Sequence, residues 1–119
     1  MPTVDDIIAA RNAAVNILGQ EIQDALAKQN AAANDKAANK FNEPIHKLMI
    51  QRIAIFEQAA DKVMGSNEIT DALNKLRQLT NDMTIVAARM GSVTGFFNNV
   101  ADILDAGSKV VGVLKGSGA

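Results

Sequence analysis

Residues 69–90 read ITDALNKLRQLTNDMTIVAARM, and their spacing decides the fold class. Ile69, Leu73, Leu76, Thr80, Met83, Ala87 and Met90 recur at alternating intervals of four and three. That is the heptad seam of a helix laid against other helices, the spacing used by coiled coils, interrupted once by Thr80. Leu79 and Val86 flank the seam. An alternating, strand-like pattern of apolar and polar residues stands out neither here nor elsewhere in the chain.

The same period extends to either side. Upstream, Thr3 followed by Val4, Asp5 and Asp6 reads as a helix start: a hydroxyl cap, then acids at the positive end of the helix dipole. Val4, Ile7, Ile8, Ala14, Val15, Leu18, Ile22, Ala25 and Leu26 continue as one stripe, broken at Arg11. Gly19 lies inside this helix at a cost of about 1 kcal/mol relative to alanine, which a close helix crossing would explain. Residues 27–40 (AKQNAAANDKAANK) keep alanine as their only apolar type. They read as a helix end fraying into a mobile connection near 30–42, or as a helix projecting past the core.

Asn42 or Glu43 caps the next helix, with Pro44 in its first turn where a missing N–H does no harm. This second helix is expected over residues 44–64. Ile45, Leu48, Met49, Ile53, Phe56, Ala60, Val63 and Met64 form its core face, and Ile50 and Ile55 widen it. A stripe this broad exceeds what one bundle core accepts. Ile50 and Ile55, with Met49, are therefore the expected partner-binding residues. Gly65 supplies a stop, and Ser66, Asn67 and Glu68 the next start.

Downstream of the heptad, residues 91–95 (GSVTG) read as a break. A fourth helix is expected from near Phe96 to Leu114, carrying Phe96, Phe97, Val100, Ile103, Leu104, Gly107, Val110, Val111 and Leu114. The tail, residues 115–119, should fray. The expected fold is an all-α antiparallel bundle of four helical segments in a single domain spanning residues 1–119. It becomes three long helices if 91–95 stays helical.

Composition narrows the function classes. The chain has 119 residues, 12 basic and 13 acidic side chains, one histidine and no cysteine. Absence of cysteine removes disulfides, a thiol nucleophile and cysteine-ligated metals. Charge is balanced along the chain as well as in total. No basic block exists for a phosphate backbone, so nucleic-acid binding is not expected. The acidic start MPTVDD has no basic and apolar leader pattern. The expected location is the cytoplasm, or outside the cell by a route without a cleavable N-terminal signal.

No motif carries chemistry. Glu43 and His46 have the Glu-x-x-His spacing of carboxylate-bridged di-metal bundles, but such sites need two of these motifs plus further glutamates. The pairs Glu57 with Asp61 and Asp102 with Asp105 fit solvated helix faces. Ser66, Ser92, Ser108 and Ser117 have no base in a nucleophile motif. The glycines form neither phosphate loop. Gly91 with Gly95, and Gly112 with Gly116, match the small-residue spacing of membrane helices, yet no apolar segment of about twenty residues holds them.

The expectation is a small non-enzymatic helical protein without a cofactor or metal. It would act by protein–protein association with a protein partner or by self-association, as an adaptor, a secretion-associated subunit or an inhibitor. The competing expectation is a membrane-active protein. It would use the weakly charged amphipathic segment 83–114, with Phe96 and Phe97 as peripheral membrane contacts and no transmembrane span.

Overall fold

The structure, a computed structural model, describes residues 3–58 and 69–116. Among them are the helices α1 (Val4–Asn30), a short α2 (Asp35–Asn39), α3 (Asn42–Phe56), α4 (Ile69–Ala88) and α5 (Val93–Leu114). No strand occurs among the described residues. The four long helices pack against one another as an all-α bundle. Its extents are 53 × 22 × 20 Å. Two helix diameters of about 10 Å fill each short dimension, so the cross-section is two helices by two.

Side-chain contacts set the directions. Arg11 of α1 bonds to Gln58 just past α3, while Gln29 bonds to Asn42 at the start of α3. α1 and α3 are thus an antiparallel hairpin. α4 and α5 form a second hairpin across the turn at residues 89–92. The hairpins lie side by side, α1 against α4 and α3 against α5. Phe41 meets Phe96 near one end, and Gln51 meets Leu104 further along, so α3 and α5 run parallel.

Local chemistry accounts for the boundaries. Thr3 caps α1 as expected, in a capping box with Asp6: the Thr3 N–H donates to Asp6 Oδ2 at 2.8 Å. Most of the α1 stripe is buried as read, at Ile7, Ala14, Val15, Leu18, Ile22 and Ala25, while Val4 and Leu26 at its two ends are exposed. Within residues 30–42, Asn34 caps α2 by accepting the Ala37 N–H at 2.9 Å. No side chain of α2 is buried.

The cap of α3 is a correction: neither Asn42 nor Glu43 but Phe41 occupies that position, and it makes no side-chain cap bond. Its ring is used for packing instead, 5.5 Å from Phe96 and 4.7 Å from Phe97 between ring centroids. The expected continuation of α3 to Met64 is also corrected. The helix ends at Phe56, with the Glu57 N–H donating to the Ile53 carbonyl and the Gln58 N–H to the Ile55 carbonyl; residues 59–64 of the expected helix lie outside the described residues. The stop at Gly65 and the start at residues 66–68 lie outside the described residues, as do 117–119 of the tail.

The chain breaks between the two helices at residues 89–92, so only Gly91 and Ser92 of the expected break at 91–95 lie in it. α4 ends at Ala88, and Ser92 caps α5 by accepting the Gly95 N–H at 2.9 Å. α5 therefore begins at Val93 rather than near Phe96, and the three-helix alternative falls. The α4 seam faces inward at Leu73, Leu76, Met83 and, just past the helix, Met90, joined by Leu79. Thr80, its polar interruption, donates its hydroxyl back to the Leu76 carbonyl at 2.7 Å, so no donor is stranded.

Candidate functional site

α3 carries two interleaved rows. Ile45, Leu48, Arg52 and Ile55 follow at intervals of three, four and three; Ile45, Met49, Ile53 and Phe56 follow at four, four and three. Each residue turns an α-helix by about 100°, so the two rows separate beyond Ile45. The sequence reading assigns the wholly apolar row, together with Leu48, to the core. The structure buries the other. Ile55 is 0% exposed and Leu48 fully buried, whereas Ile53 is 55% exposed and Phe56 59%.

The physical reason is Arg52. Its position on the inner row is acceptable because its guanidinium lies across Gly19 of α1. A Cβ at Gly19 would sit 3.2 Å from Arg52 Nε, and Nε donates to the Val15 carbonyl at 3.4 Å. Arg52 itself stays exposed, so its charge remains in water while Ile45, Leu48 and Ile55 of the same row are buried.

Of the expected partner-binding residues, Met49 and Ile50 lie on the surface and Ile55 does not. Ile55 as an outward residue is corrected: it points into the core, and Ile53 takes its place outside. Phe56 completes the exposed set, and sequence reading missed it because it falls on the apolar row. Arg11, the apparent break in the α1 stripe, stacks 5.4 Å over the Phe56 ring and donates to the Gln58 carbonyl at 3.1 Å.

Two grooves flank the α3 ridge. One, of about 390 Å³, lies toward α1 and is lined by Asn12, Val15, Asn16, Arg52, Ile53 and Phe56. The other, of about 440 Å³, lies toward α5, with Ile50, Ala54, Leu104 and Val111 in its walls. Gln51 stands at that second groove. Its Nε2 donates to the Leu104 carbonyl at 2.6 Å and to Ser108 Oγ at 3.2 Å, while its Oε1 is buried without a partner against Gly107.

The residues considered for chemistry are placed apart. His46 is exposed, and Glu43 pairs with Lys47 at 3.0 Å. Asp105 pairs with Lys109 at 3.3 Å on the surface. Asp61 lies outside the described residues. Among the described residues no three His, Asp or Glu side chains converge on a common point. The one buried acid among the described residues is Glu21, whose pKa is raised, chiefly by burial and then by Asp24, with Lys28 opposing.

Phe96 and Phe97, read as membrane contacts, are corrected as surface groups. Phe96 is 0% exposed, and Phe97 packs half-buried in an edge-to-face pair with it at 5.3 Å. α5 turns its aromatic start toward Phe41, so the three rings pack together there. No helix among the described residues is long and apolar enough to cross a membrane.

In comparisons with known proteins, the chain matches no family model, no curated protein sequence and no solved structure.

Proposed function

We propose that this chain is a small non-enzymatic helical protein that works by protein–protein association, with the outward face of α3 as its docking surface. One observation carries the reading. Met49, Ile50, Ile53 and Phe56 are all exposed on a helix that already commits Ile45, Leu48 and Ile55 to the core. A helix apolar on both sides has one face more than its own bundle uses. A cluster of large exposed apolar side chains with a polar rim marks an interaction surface. Adaptor, secretion-associated subunit and inhibitor all fit this description.

The test is the mass of the chain in an extract of its own source cells. The wild type should run in an assembly above its own 12.6 kDa, and Ile53→Glu should run as the free chain. Wild type and variant both running free would refute the association. A parallel measurement addresses the membrane alternative. Anionic vesicles should leave the wild type in solution, and uptake that survives Ile53→Glu would favour a membrane role instead.

A further inference from the structure

We infer that the groove between α1 and α3 receives an amphipathic helix of another protein, one with two carboxylates a turn apart beside an apolar stripe. This rests on the association reading and gives the partner its chemistry. Two guanidinium groups, held in place beside the exposed apolar row, carry it.

The apolar half comes from α3. Met49, Ile53 and Phe56 stand exposed at intervals of four and three, so they form one stripe about two turns long. Ile53 and Phe56 wall the groove on that side. Asn12 and Asn16 of α1, polar but uncharged, wall it on the other. A groove between two helices, with an apolar row at helical spacing along one wall, suits a third helix.

The charge beside that stripe is basic and uncompensated. Arg11 donates Nε and Nη2 to Asn12 Oδ1 and Nη1 to the Gln58 carbonyl, with its guanidinium over the Phe56 ring. Arg52 donates Nε to the Val15 carbonyl. All these acceptors are neutral, and each guanidinium keeps further N–H groups for a carboxylate. The ion pairs among the described residues, Glu43 with Lys47 and Asp105 with Lys109, include neither arginine. The acids nearest in position among those residues stand off the groove. Asp5 lies about 9 Å before Arg11 along α1, and Glu57 is turned about 100° from Phe56, away from α1. Spacing then selects the partner's pattern. Arg11 and Val15 are one turn apart on α1, as are Phe56 and Arg52 on α3, so the two charges lie about 6 Å apart along the groove. A helix with acids at that spacing meets both arginines along one edge, and Glu57 keeps acids off its other edge. The guanidinium groups are already held, so pairing costs them little freedom. This chain does not supply such an edge itself. Among the described residues two acid pairs lie a turn apart on a helix, Glu21 with Asp24 and Asp102 with Asp105. Glu21 is buried, and Asp105 already holds Lys109. The partner is therefore another protein.

The experiment is fluorescence anisotropy of two labelled peptides titrated with the pure full-length chain. Each peptide is an alanine-based helix of about eighteen residues with one leucine stripe. The row beside that stripe carries glutamates a turn apart in one peptide and lysines in the other. The wild type should bind the glutamate peptide about tenfold more tightly than the lysine peptide. Arg11→Gln and Arg52→Gln should each weaken the glutamate peptide by about fivefold without weakening the lysine peptide. Arg52→Glu should remove the preference. Arg52 is an exposed side chain, so its variants should keep the helical circular dichroism whatever Arg11→Gln does to the fold. Equal binding of the two peptides by the wild type would show that apolar contact alone selects the occupant, and would overturn the acidic partner. Absence of binding by both up to about 1 mM would overturn it equally. A sedimentation mass of the pure chain that doubles with concentration, and does so unchanged in Arg52→Gln, would give the groove to a second copy and overturn it too. Each of these results leaves the association reading to the extract experiment, so the two can fail separately.

Discussion

Arg52 of α3 lies across Gly19 of α1, its Nε 3.2 Å from where a Cβ on Gly19 would stand. Gln51 meets Gly107 of α5 in a comparable way, but far more tightly, with its amide oxygen against the glycine backbone. The two glycines respond differently to added bulk. Arg52 is a long, solvent-exposed side chain whose end can move by a few tenths of an ångström. Gln51 is held by two hydrogen bonds to α5. Gly19→Ala should therefore recover helix propensity and raise stability by up to about 1 kcal/mol. Gly107→Ala should lower stability by about 1–3 kcal/mol, because Gln51 must leave its bonds. Urea denaturation of the two variants checks the opposite signs. Equal destabilisation by both would show that Arg52 is as fixed as Gln51.

Ile53 and Ile55 provide the test of which α3 face is inside. Ile55→Glu buries an unpaired carboxylate and removes a fully buried side chain, a cost of about 4 kcal/mol or more against a typical total of about 5–15. Ile53→Glu places its charge in water and should change stability by about 0.5 kcal/mol or less. Thermal unfolding followed by circular dichroism separates them. A strongly destabilised Ile53→Glu with a near-normal Ile55→Glu would mean that α3 is rotated from the orientation described.

Those two residues also show what was legible in the sequence. α1, α4 and α5 each have one dominant apolar stripe, so helix position and inward face follow from the 3.6-residue period. α3 has two stripes, and the period alone does not rank them. Arg52, the polar member of the inner row, reaches a glycine 33 positions away in another helix, a contact that no local pattern contains. The excess of apolar surface on α3 was readable, as was Ile50 as a surface residue, whereas Met49 was read both as a core-face and as a partner-binding residue. The exchange of Ile53 for Ile55 was not. Phe96 and Phe97 looked available for the same reason: their partner Phe41 stands alone after an alanine-rich stretch, with no stripe to announce it.

Glu21 should make stability depend on pH. It is buried beside Asp24, and both burial and that neighbour raise its pKa above 4.5. The folded chain then holds this proton more tightly than the unfolded chain does. Stability from this group falls as pH rises from its unfolded value to its raised folded value, and the loss is complete above the latter. Below about pH 4 both states are protonated and the penalty vanishes. Glu21→Gln should therefore be more stable than the wild type near pH 7.5, and the gap should close on acidification. Other carboxylates titrate alike in both proteins and cancel in the comparison. A gap independent of pH would show that Glu21 escapes burial.

Phe41 should hold residues 31–40 to the bundle. α2 buries no side chain, so its attachment comes from its flanks. On one side Gln29 donates to the Ala38 carbonyl at 2.9 Å and to Asn42 Oδ1 at 2.7 Å. On the other, Phe41 is 2% exposed and packed between Phe96 and Phe97. Phe41→Ala removes the larger anchor and opens a void at the end of the bundle, at a cost of about 3–5 kcal/mol. The loss should not be uniform. The amides of Ala37, Ala38 and Phe41 bond only to Asn34 and Ala38 within the connection, so they gain no protection from the rest of the core. Hydrogen exchange at these three amides should accelerate beyond what the global loss of stability imposes, while amides in the middle of α1 should follow the global loss alone. Acceleration equal at both places would mean that the connection opens only when the whole bundle does, and that Phe41 serves the core without fastening the segment before it.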